Sequence, residues 1–266
     1  MKKNFASVLV TNFNKGHYLE KTLRSCQNQN FKKKEILIFD DCSSDNSLEI
    51  IKKFKKKIKL IKNKKKKFKS GPLNQINGII ELFKKSKGEI IFLLDGDDIF
   101  KKDKISFIIN FFKENRNVNF IQDVPSINKT KKFITYKKKL HIFSIWPKFY
   151  PTSTIVVRRK FFSNFLNHIE KTKFPNLEID ARISMFAFLQ KEFLTLNKSF
   201  TRYNYDKDGI TSKYKKFSFL WWIKRNEAFS YLVLLHKKLK IRFIYGIDFL
   251  LTRIVKFFLI YKFIIK

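Results

Sequence analysis

Four short apolar runs constrain this chain most: SVLV (7–10), ILIF (36–39), IKLI (58–61) and IIFLL (90–94). Runs of this length, apolar nearly throughout and bounded by polar residues, predict strands buried on both faces. Between them, apolar residues recur at helical spacing: Leu19, Leu23 and Cys26; Leu48, Ile51 and Phe54; Leu73, Ile76, Ile80 and Phe83. Ser43 or Ser44 is the predicted cap of the second of these helices. Strands alternating with helices predict an α/β chain whose mostly parallel central sheet is flanked by helices. Ile105–Phe112 and Ile179–Gln190 extend the helical pattern, and NVNFIQDV (117–124) reads as another strand. The stretch from 130 to 160 is β-rich but ambiguous.

In a parallel sheet, ligands sit beyond the carboxyl ends of the strands. Three polar clusters fall there: Thr11–Asn14, Asp40–Asp45 and Asp95–Asp98. They are expected to converge on one site. The last cluster, LDGDD, sets Asp95, Asp97 and Asp98 side by side, and like charges this close need a positive partner. Read alone, it allows a hard divalent ion, a solvated turn that caps the next helix, or an aspartyl-phosphatase nucleophile. The second acidic cluster, Asp40 and Asp41, favours the ion, magnesium or manganese, bridging phosphate oxygens. The phosphatase pattern puts its DxD on the first strand, which here ends in TNFN.

Together, SVLVTNFNKGHYLEKTLRSCQNQ, EILIFDDCSSDNSLEII and GPLNQINGIIELFKKSKGEIIFLLDGDDIF resemble glycosyltransferase family 2. The resemblance runs from about residue 5 to 104, and more weakly to about 213. It implies the GT-A fold of nucleotide-diphosphosugar transferases and an inverting transfer. It places Thr11 and Phe13 at the nucleotide base and ribose, and Asp40 and Asp41 at the uracil or ribose. Asp95 serves ribose and metal, Asp97 the metal, and Asp98 a supporting role. Asn77 matches a frequent asparagine, whereas Ile76 stands where the family usually has an arginine. NLEIDARI (176–183) resembles the segment that carries the general base, with Asp180 the first choice and Glu178 the reserve. FTRYNYDKDGITSKY (200–214) resembles the segment that closes over the donor diphosphate, where Arg202 and Lys213 can reach phosphates. PTSTIVVRR (151–159) resembles the acceptor-side strand.

These matches imply a nucleotide-diphosphosugar donor, a UDP-sugar, a divalent metal (Mn2+ or Mg2+), and a glycan or lipid-linked acceptor. A nucleotidyltransferase on a related fold would need a glycine-rich, basic loop after the first strand, and NFNKGHY has one glycine and one lysine.

The formal net charge of +36 raises a third reading, a basic module for nucleic acid or anionic membrane. Nucleic acid is set aside as a partner. Lysine is spread along the whole chain, and 32 Phe beside 7 Gly and 5 Pro is what AT-rich codons would give whatever the function. The twelve lysines between Lys52 and Lys69 read as a solvated helix end and loop. Cys26 and Cys42 alone argue against a disulfide framework and for a reducing setting. His17, His141, His168 and His236 show no metal spacing.

From Phe217 on, aromatics and aliphatics dominate, and Glu227 and Asp248 are the only acids. Phe249–Ile265 comes closest to the ~18–20 apolar residues of a membrane span, but Arg253, Lys256 and Lys262 interrupt it. Trp221 and Trp222 beside basic residues predict a segment lying in a membrane interface. Packing on the domain is the alternative. The expected organisation is a GT-A domain over 1–215 and a basic, apolar helical appendage over 216–266. The expected location is cytoplasmic, peripheral on the inner face of an anionic membrane.

Overall fold

The computed structural model describes residues 2–127, 147–205 and 213–264. Most of the ambiguous 130–160 stretch, His141 and part of the 200–214 segment lie outside the described residues.

The chain runs β1 (Lys2–Asn12), α1 (Gly16–Gln27), β2 (Lys34–Asp40), α2 (Ser47–Lys53), β3 (Lys59–Lys62), α3 (Gly71–Lys85) and β4 (Gly88–Asp95). There follow β5 (Ile99–Phe100), α4 (Lys104–Glu114), β6 (Phe120–Asp123) and β7 (Ser126–Ile127). A 3-10 turn at Thr152–Thr154 leads into β8 (Ile155–Arg158), α5 (Arg159–His168), α6 (Ile179–Leu189), β9 (Phe193–Leu196) and β10 (Thr201–Tyr203). Two long helices, α7 (Phe219–Lys238) and α8 (Ile247–Ile264), end the chain.

The main sheet has the order β3-β2-β1-β4-β8-β6-β9. Its first four strands are parallel, and β8 runs antiparallel to both β4 and β6. A small sheet, β5-β10-β7, stands beside it. Successive side chains of a strand point to opposite faces. In β1, Val8 and Val10 therefore meet Leu19 and Leu23 on one face, while Leu9 joins Leu73, Ile76 and Ile79 on the other. Both faces are covered along β1, β2 and β4, whereas β3, at the sheet edge, departs from the expectation and leaves Lys59, Leu60 and Lys62 exposed because one side of it has no neighbouring strand.

α3 is capped by Ser70, whose Oγ accepts from Leu73 N at 3.2 Å, with Pro72 in the first turn. α2 differs from the sequence expectation. It starts at Ser47, after the proposed caps, because Ser43 and Ser44 have other partners. Ser43 Oγ donates to Asp40 Oδ1 at 2.7 Å, and Ser44 N donates to Asn14 Oδ1 at 2.8 Å. Asp45 Oδ1 instead accepts from Ser47 N at 3.0 Å.

The tail splits into two behaviours. α7 buries Ala228, Tyr231, Leu232 and Leu235 in the same core as α3, α5 and α6. α8 packs back along α7: Phe229 meets Phe249, and Arg253 Nη1 donates to Asn226 Oδ1, while Phe243 in the connection meets His236. Among the described residues, no helix is long and apolar enough to cross a membrane.

Candidate active site

Strand register builds the site. Thr11 is level with Asp95, and Asn12 with Asp40, so the ends of β1, β2 and β4 lie side by side. The loops beyond them are tied together. Asn12 Nδ2 donates to Asp40 Oδ1 at 2.8 Å, and Gly16 N donates to Asp45 Oδ2 at 2.8 Å. Asn14 and Cys42 take left-handed backbone, with φ of 50° and 60°, at the turns of two of these loops. Gly96 lies so close to β1 that a Cβ there would stand 2.7 Å from Asn12 Oδ1. Glycine is what lets the DGDD loop approach.

Asp95 Oδ1 accepts from Thr11 Oγ1 at 3.0 Å and from Gln75 Nε2 at 2.7 Å. Burial, then the charge of Asp97, pushes the Asp95 carboxyl up to about 6. Asp97 pairs with Lys15 Nζ at 2.8 Å. Asp98 is buried and accepts from Asn204 N at 2.8 Å, and burial with its acidic neighbours raises its carboxyl well above the usual range. Lys15 thus supplies one positive charge from within the chain, beside Asp97.

Position 76 is fully buried in the core, and α3 turns its neighbour Gln75 toward Asp95. The family's arginine place therefore faces hydrophobic packing here. Asn77 lies one step further round the helix, where its Oδ1 accepts from Lys67 Nζ at 3.3 Å. Phe13 is 41% exposed, with the Lys66 ammonium 3.3 Å from its ring centroid. Asp40 is fully buried and spent on Asn12 and Ser43. Asp41 accepts from Asn63 Nδ2 at 2.8 Å. Arg202 is exposed on β10, two residues before the Asn204 amide that holds Asp98.

On the other side stand Glu178 and Asp180, at the start of α6. The buried Arg182 guanidinium donates to the carbonyls of Glu170, Lys173, Phe174 and Leu177, pinning the loop that leads to them. Glu178 pairs with Lys224 of α7. Asp180 Oδ1 accepts from Ala181 N. Burial first, then the Glu178 charge, raises the Asp180 carboxyl to about 7, and the Asp95 charge adds to the rise. Asp180 and Asp95, distant in sequence, are linked through α3, whose Gln75 Nε2 donates to Asp95 and whose capping Ser70 Oγ donates to Pro175 O at 2.6 Å, and the Asp95 charge reaches Asp180.

Beneath the DGDD loop lies a pair that the sequence did not single out. Lys104 Nζ and Asp123 Oδ1 meet at 2.7 Å with both side chains fully buried. Lys104 also donates to Ser153 O and Thr201 Oγ1, and Ser153 Oγ accepts from Asp95 N at 2.9 Å. Lys15, Gln75 and Ser153 lie inside the stretches quoted for the family resemblance, but nothing in those stretches marks them, and Lys104 and Asp123 lie outside them.

Among the described residues, no group of three or more His, Cys, Asp or Glu could hold a metal by itself. Asp95 and Asp97 nevertheless fit a hard cation that takes its remaining ligands from a phosphate group. Both offer carboxylate oxygens, one at the end of β4 and one just beyond it.

The chain is 28% identical over 182 residues to an uncharacterised glycosyltransferase of Haemophilus influenzae, covering 67% of this chain and 69% of that one. It is 36% identical over 121 residues to the poly(ribitol-phosphate) beta-N-acetylglucosaminyltransferase TarP of Staphylococcus aureus, covering 44% of this chain and about a third (35%) of TarP. The fold matches S. aureus TarS (residues 1–349) with UDP-GlcNAc at a TM-score of 0.63 and 17% identity, over 85% of this chain and 66% of that one. It also matches the Pyrobaculum calidifontis mannosyltransferase PcManGT with GDP-Man and Mn2+ at a TM-score of 0.60 and 14% identity, over 91% of this chain and 65% of that one. These likenesses show the GT-A fold. The family model "Glycosyl transferase family 2" matches residues 7–195, well over half the sequence, and the chain belongs to that family.

Proposed function

We propose that this chain is an inverting glycosyltransferase that moves a sugar from a nucleotide-diphosphosugar, a UDP-sugar, to a hydroxyl of a glycan or lipid-linked acceptor. The observation that carries this reading is the presence of two unlike carboxylate sets tied to the same helix, α3. Asp95 and Asp97, at the end of β4, are suited to the donor. Asp180, raised to about 7, is suited to act as a base at neutral pH.

Each residue then has a task its surroundings support. The exposed Phe13 ring offers a face for the nucleotide base, with Asp41 and Asn63 along the same edge. Thr11 and Gln75 orient Asp95. A divalent ion bound by Asp95 and Asp97 would offset the charge of the leaving diphosphate. Arg202 and Lys213 are the cations assigned to the donor's phosphate oxygens. Asp180 accepts the proton of the attacking acceptor hydroxyl. Glu178, already paired with Lys224, is the less available base.

The test is donor turnover by the purified full chain over a panel of nucleotide sugars, with and without Mn2+. A UDP-sugar is expected to bind and to be hydrolysed slowly only when the metal is present. If no nucleotide sugar binds or turns over with metal supplied, the reading is wrong.

A further inference from the structure

The outward face of α8 is a continuous apolar stripe. Ile247, Leu250, Leu251, Ile254, Phe257 and Phe258 are each more than half exposed and fall at i, i+3, i+4, i+7, i+10 and i+11. Helical periodicity puts them on one side over three turns. The opposite side is used up: Asp248, Phe249 and Thr252 are buried, and Arg253 bonds Asn226 and Ser230 of α7. Ahead of the stripe, Ile244 and Tyr245 are also exposed, at 75% and 64%, beside exposed Lys240 and Arg242. Scattered surface apolars need no explanation, but an aligned row of this size does.

Charge decides what covers it. The tail has two acids, and both are turned inward. Glu227 accepts from the Asn176 backbone and side chain, and Asp248 pairs with Arg225 at 3.1 Å. Among the described residues of the tail, the charged groups left exposed are therefore cations, Lys240 and Arg242 among them. A second copy would bring one strongly basic face against another in a chain of net charge +36. An anionic lipid surface is complementary to both the apolar row and its basic flank.

We propose that the stripe of α8 lies in the headgroup–acyl boundary of an anionic bilayer, with Lys240 and Arg242 against lipid phosphates. The same hairpin reaches the start of α6, since Lys224 of α7 pairs with Glu178. Docking would hold the Glu178–Asp180 side of the site at the membrane, where a lipid-linked acceptor presents its sugar. This last step rests on the transferase reading, whereas the docking does not.

The experiment is flotation of the full chain with vesicles of phosphatidylcholine, with and without about one-third phosphatidylglycerol. Wild type is expected to float with the anionic vesicles and far less with the neutral ones. The triple variant Leu250→Ser, Leu251→Ser, Ile254→Ser is expected to lose binding about tenfold or more, with its melting temperature and donor hydrolysis in solution unchanged. Lys240→Glu with Arg242→Glu is expected to weaken binding to anionic vesicles while leaving the fold intact. The proposal is overturned if wild type ignores anionic vesicles, or if the triple variant floats as well as wild type. It is equally overturned if light scattering shows a dimer that the triple variant abolishes while vesicles are not bound. Failure of donor hydrolysis with vesicle binding retained would sink the transferase reading and leave the docking standing.

Discussion

Asp180 is the residue whose environment speaks most directly to chemistry. A carboxyl raised to about 7 is only half ionised at neutral pH, and a base acts as the anion. Transfer kcat/KM is therefore expected to climb roughly tenfold per pH unit on the acid side and to level off above about 7. Asp180→Asn is expected to cut transfer by about 10²–10⁴ and to erase that limb, while calorimetry shows donor binding unchanged. An equal loss from Glu178→Gln, with Asp180→Asn still active, would move the role to Glu178. Asp97→Asn should behave differently. It removes an oxygen donor and the partner of Lys15, so Mn2+-dependent binding of UDP is expected to fall along with turnover. Of these groups, the sequence showed the carboxylates because they sit in motifs. It did not show Lys15 or Gln75, whose roles come from where a helix turn happens to aim a common side chain.

At the scale of elements, the DGDD loop stands on two supports that can be tested apart. Gly96→Ala would drive a methyl to within 2.7 Å of Asn12 Oδ1 and 3.2 Å of the Thr11 carbonyl, one of them backbone. It is expected to cost about 1–3 kcal/mol by overpacking, read in urea melts, and to weaken donor binding. Lys104→Met leaves Asp123 buried without its cation, which costs about 3–5 kcal/mol for a fully buried pair. Replacing both partners, Lys104→Met with Asp123→Leu, is expected to recover most of that loss, because an apolar pair leaves no stranded charge. If the double variant is no more stable than the single one, the other partners of the cluster, Ser153 and Thr201, carry the stability. The strands and helices that form these supports were legible from apolar runs and 3.6-residue spacing. The start of α2 was not, because Ser43 and Ser44 had a choice of partners and took Asp40 and Asn14.

For the whole molecule, the question is how α7 relates to the α/β core. Leu235 is fully buried among residues of α3, α5 and α6. Leu235→Ala is expected to destabilise by about 2–5 kcal/mol and to lower a single cooperative melting transition. A main transition left in place, with a separate early loss of helix, would instead mark the tail as a body of its own. α8 behaves oppositely, with its outward face left to solvent.

From the sequence alone follow the parallel arrangement of β1 to β4, the burial of β1, β2 and β4 on both faces, the meeting of three strand ends and the family. Each follows from local periodicity or from contiguous motifs, and needs no knowledge of what lies across the fold. Only the tertiary structure decided that Lys15 answers the charge of Asp97, that Gln75 rather than position 76 faces Asp95, and that Lys104 and Asp123 sit beneath the loop. It also decided that Asp180 stands within electrostatic reach of Asp95. Burial and charge act through space, and the partners that raise a carboxyl or satisfy a buried ammonium come from strands and helices far apart in the chain.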